Sequence, residues 1–114
     1  MRIEFTSDEL ILTLMGLIQA THPGMLRQGP DGFSVDFRAV EDKPEQELNS
    51  DEQLLLKFRD ALEAPGETNH YGFELEAAEG TRLVETLERL ESLHAWPPDV
   101  LTMSRNLRTR LGAA

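Results

Sequence analysis

Carboxylates dominate the residues of this chain that could do chemistry. Three of them hold equivalent places in alternating segments: Glu4 in Arg2-Ile3-Glu4-Phe5, Asp36 in Phe33-Ser34-Val35-Asp36-Phe37-Arg38 and Glu74 in Tyr71-Gly72-Phe73-Glu74-Leu75-Glu76. A period of two puts the apolar side chains on one face of a strand and the charged ones on the other. Side by side, three such carboxylates would hold a hard divalent cation through oxygen ligands or raise one another's pKa values. Arg2, Arg27 and Arg38, expected on the same face, would instead neutralise them.

The remaining chemistry-bearing residues are scattered. Glu91 and His94 have the Glu-x-x-His spacing of di-iron helices, but the motif occurs once where such sites need it twice with two further glutamates. His22 precedes Pro23 at a helix end, with no evident partner. Thr68, Asn69 and His70 form a loop candidate, offering hydroxyl, amide and imidazole in a row at the entry to a strand. Arg105 and Arg108 stand about one helical turn apart near the C-terminus, where a terminal helix folded over a sheet would aim them at Glu4, Asp36 or Glu74. The sequence has no G-x-G-x-x-G, P-loop, G-x-S-x-G or H-E-x-x-H, and its serines lack a neighbouring His-plus-acid pattern. With no cysteine, thiolate metal sites, disulfides and cysteine nucleophiles are excluded together. A catalytic role is therefore the less supported class, and no cofactor is expected.

The elements that must position these residues follow from capping signals and periodicity. Thr6 and Glu9 form a capping box that opens a helix over 7–20. Leu10, Ile11, Leu14, Leu17 and Ile18 lie on one side of it, and Leu12 and Met15 widen the apolar stripe. Such a helix is either covered on two sides or used in a homodimer through Leu12 and Met15. Gly29-Pro30-Asp31-Gly32 reads as a tight turn joining strands at 25–28 and 33–38. Residues 41–49 read as a mobile acidic loop. Ser50 with Gln53 suggests a second capping box before a helix over 51–63, with Leu54, Leu55, Phe58 and Leu62 inward. After the strand at 71–76, a helix over 77–94 should bury Leu83, Val84, Leu87, Leu90 and Leu93. Trp96-Pro97-Pro98-Asp99 breaks the chain before a last helix over 98–111.

The order predicts an α+β domain with a ferredoxin-like βαββαβ sandwich over 1–76 and two extra C-terminal helices over 77–111, all within one domain. In that topology the strand order is fourth, first, third, second, and Glu74, Glu4 and Asp36 line up across an open face. The face lacks the exposed aromatic residues with which an RNA-reading sheet stacks bases.

Charge narrows the partner class. The 114 residues carry a formal net charge of −10, which disfavours phosphate backbones at long range and favours a basic partner. Residues 1–100 hold 8 basic and 21 acidic side chains, whereas 101–114 hold Arg105, Arg108 and Arg110 and no acid. No secretion or membrane segment is visible, and the lack of cysteine fits a cytoplasmic protein. These features predict an acidic protein-interaction or regulatory module, with no nucleic-acid or membrane contact. By analogy with the size and charge of bacterial immunity proteins, it would inhibit a basic enzyme or nuclease. The alternative is a divalent-cation or small-ligand site at Glu4, Asp36 and Glu74.

Overall fold

Alternation in the sequence becomes pairing in the first and last strands. The computed structural model describes residues 1–30, 32–64 and 69–112, those at 28 and 33 by backbone alone. Its elements are β1 (Arg2–Thr6), α1 (Ser7–Thr21), β2 (Leu26–Gly29), β3 (Gly32–Val35), α2 (Arg38–Glu41), α3 (Ser50–Glu63), β4 (His70–Glu74), α4 (Ala77–Leu93) and α5 (Pro98–Gly112). Single turns of 3-10 helix cover Pro23–Met25 and Glu45–Glu47, the latter inside the segment expected as a structureless loop. The class is mixed α+β.

β1 and β4 run antiparallel, with Arg2 opposite Glu74, Ile3 opposite Phe73 and Phe5 opposite Tyr71. Ile3, Phe5 and Phe73 turn inward, and Phe5, Phe58 and Phe73 meet edge to face at centroid separations of 5.0–5.9 Å. α1 lies against α3 and α4. At Gly16 a Cβ would come within 3.3 Å of the Thr86 carbonyl, so a small residue sets how closely α1 approaches α4.

The ferredoxin-like strand order is not the one observed. Among the described residues, β1 pairs with β4 and β2 with β3, as two separate two-stranded sheets. β3 ends at Val35 rather than continuing to Arg38, because the Asp36 carboxylate accepts a hydrogen bond from the Arg38 amide (3.1 Å) and draws the chain into α2. Val40 is then buried from a helix, and no long strand remains to lie beside β1. Gly32, at φ 116°, takes the backbone conformation that the tight turn requires.

The helices follow their capping signals, with one shift. Thr6 accepts from the Glu9 amide (3.2 Å) while Glu9 accepts from the Thr6 amide (2.8 Å). For α3 the box is Asn49 with Glu52, one residue before the expected Ser50 and Gln53. α5 docks on α4 where Gly80 leaves room: a Cβ there would stand 2.9 Å from the Leu111 carbonyl. Leu93, expected inward, is exposed at the end of α4.

Candidate functional site

The three predicted carboxylates occupy two separate places. Glu4 and Glu74 do share the open face of the β1–β4 sheet, but Glu4 lies 3.9 Å from Arg2 and Glu74 lies 3.8 Å from the N-terminal ammonium, loose pairs in which both carboxylates are exposed. Asp36 directly follows β3, beyond the end of the β2–β3 ribbon. Arg38 grips it with Nη2 at 2.7 Å and Nε at 3.0 Å, and Arg27 approaches to 3.7 Å. The Arg38 guanidinium and then its amide hold the Asp36 carboxyl well below the usual carboxylate range. Two unlinked sheets therefore separate Asp36 from the other two acids. Among the described residues, no group of three His, Asp or Glu side chains is placed to hold a metal ion.

The C-terminal arginines reach β1 differently from expectation. Arg108 bonds Glu91 through Nε (2.7 Å) and Nη2 (3.2 Å), and Ser104 donates to the same carboxylate at 2.9 Å. Arg105 is exposed. It is Arg110 that crosses to the first strand, donating to the Glu4 carbonyl at 2.8 Å and pairing with the Glu9 carboxylate. Glu91 is thereby committed to α5, while His94 meets Trp96 edge to face at 5.4 Å, so the Glu-x-x-His pair shares no site.

The loop candidate is half visible. Thr68 lies outside the described residues. Asn69 accepts from the Ser7 amide (3.2 Å) and hydroxyl (2.6 Å), which ties the approach to β4 to the start of α1. His70 opens β4 opposite Thr6.

One cluster was not expected. Glu52, fully buried, accepts from Lys43 Nζ at 2.9 and 3.0 Å, lies 3.1 Å from His22 Nε2 and caps the Asn49 amide at 3.2 Å. The Lys43 ammonium pulls its carboxyl below the ordinary value, against the opposing effect of burial, with Asn49 and His22 assisting. The visible sequence cue was Asn49-x-x-Glu52, a capping box that overlaps the equally plausible Ser50-x-x-Gln53.

Beside this cluster, a cleft of about 620 Å³ lies between the 41–48 segment and α3, with Glu41, Glu45 and Asp60 on its walls together with Leu48 and Leu56. Its two lysines are turned to other duties. Lys43 serves Glu52, and Lys57 lies over the Phe73 ring at 5.8 Å. Arg59 pairs with Glu41 and Asp60, but among the described residues Asp42, Glu45 and Glu47 form no salt bridge.

Leu12 and Met15, the residues assigned to a dimer, line the contact between α1 and the segment around Trp96. Leu12 is only 5% exposed, and the width of the α1 stripe is explained by its cover on several sides. Ile11, at 45%, is the side chain of this face that stands clear. No helix among the described residues is long and apolar enough to cross a membrane. Compared with known protein families, curated proteins and solved structures, the chain has no match in any of the three.

Proposed function

We propose that this chain is a small acidic interaction module that binds a protein partner bearing a basic surface, as an inhibitor or regulator would. What supports the reading is where the surplus negative charge stays. Asp42, Glu45 and Glu47 project from a short exposed segment and lack salt bridges among the described residues, and Glu45 lines a cleft that also offers Leu48 and Leu56. An acidic rim around apolar contact area is the arrangement that steers a cationic protein and then retains it. Among the described residues, no group of three His, Asp or Glu side chains is placed to hold a metal ion, so the cation reading gains no support.

The test uses capture from the native host followed by association kinetics on the recovered partner. The partner should be basic, and its association rate should fall by about tenfold or more between low and high salt. The triple variant D42K/E45K/E47K should slow association to a similar degree while leaving the melting temperature unchanged. An association rate indifferent to both salt and charge reversal rules the reading out.

A further inference from the structure

We infer that the groove between α1 and the Trp96–α5 segment is a docking site for an amphipathic helix of a partner protein, apolar at its centre and carrying lysine or arginine at one end. Two cavities, of about 330 and 390 Å³, lie on either side of Trp96, and both are walled by Met15 and Trp96. On α1 the groove follows the i, i+4 row Ile11, Met15, Gln19, a length of about 12 Å at the helical rise. That matches two turns of a helix presenting two apolar side chains, one into each cavity.

The walls are set before any partner arrives. Trp96 donates its indole N–H to the Leu90 carbonyl at 2.9 Å and packs edge to face on His94. Its polar atom is thereby satisfied, and the residue lines both cavities. Met15 and Met103 add flexible, polarisable surface of the kind that accommodates varied apolar side chains.

Charge selects the occupant. Neither cavity has a lysine or arginine in its lining; Asp8 and Asp99 both line the cavity at one end, and His94 lines the other. A helix lying in the groove thus meets carboxylates at that end alone, which fits a cationic flank. A second copy of this chain is disfavoured, because two bodies of charge −10 repel at long range.

This inference rests on the interaction reading above, and Trp96 gives it a separate readout as the one tryptophan of the chain. The probe is a short synthetic helical peptide with leucines at i and i+4 and lysines at one end, compared with the same peptide carrying glutamates instead. Titration of the lysine peptide should shift Trp96 emission to the blue and protect it from acrylamide. Met15→Glu, or Ile11→Asp at the exposed position, should weaken binding by about tenfold or more with the far-ultraviolet circular dichroism unchanged. The D8K/D99K variant should weaken the lysine peptide and admit the glutamate peptide.

Three results overturn the groove while leaving the interaction reading standing. One is binding, by anisotropy, that leaves Trp96 emission unchanged and ignores both groove variants. Another is no peptide binding at all while salt-dependent capture of a basic partner persists. The third is a dimer of the unmodified protein that Met15→Glu dissolves, which would make the groove a self-interface. Loss of peptide binding together with loss of salt-dependent capture overturns both.

Discussion

Glu52 and the pair Glu4 and Glu74 are the same residue type put to opposite uses. The Glu52 side chain is 1% exposed, in contact with two potential cations and a backbone amide, while those of Glu4 and Glu74 are 65% and 69% exposed and, among the described residues, no nearer than 3.8 Å to a positive charge. Glu91 stands between them, 16% exposed and held by Arg108 and Ser104. The gradient teaches that burial, not charge count, decides which acids of this protein support the fold and which remain in solvent. A buried carboxylate without its cations would carry a large desolvation cost, whereas an exposed one is satisfied by water.

Breaking the buried end should have the largest effect. Glu52→Ala removes the acceptor that joins the end of α1, the 41–48 segment and the start of α3, and it deletes a helix cap as well. A loss of about 2–3 kcal/mol in urea unfolding is expected, since Lys43 and His22 are partly exposed and recover some hydration. A loss under about 0.5 kcal/mol would show that the cluster is incidental.

Acid should reveal the same group. Because the folded pKa of Glu52 lies below its ordinary value of about 4.5, its stabilisation is complete above that pH and fades as pH falls from there through the folded value. Glu52→Gln should therefore flatten the acid limb of the stability profile relative to the parent protein. Parallel limbs would assign acid sensitivity to other carboxylates.

The middle of the gradient is probed by Arg108→Ala, which leaves Glu91 with Ser104 alone. About 1 kcal/mol is expected, read as a lower urea midpoint at unchanged slope. At the exposed end, Glu4→Gln and Glu74→Gln should each stay within about 0.5 kcal/mol of the parent. A large loss at either would mean that the open face of the sheet is structural rather than available.

Much of the fold could be read along the chain. Thr6 and Glu9 marked the start of α1, the prolines at 97 and 98 separated α4 from α5, and the alternation around Ile3 and Phe73 placed the inward faces of β1 and β4. All of these depend on neighbours within about four residues, where hydrogen bonding and side-chain direction follow local geometry. The candidate site was less legible. Phe33 to Arg38 alternated like a strand, yet Asp36 formed a local bond that ended it, and His22 found Glu52 thirty positions away.

By itself, then, the sequence determined the four long helices, the cap of the first, the inward faces of two strands and the acidic sign of the surface. Tertiary structure decided which strands pair, which glutamate is buried, and that Met15 and Trp96 wall one groove. Those outcomes depend on distant segments packing against one another around a shared core. The energy that selects among them is spread over contacts that no short window of residues contains.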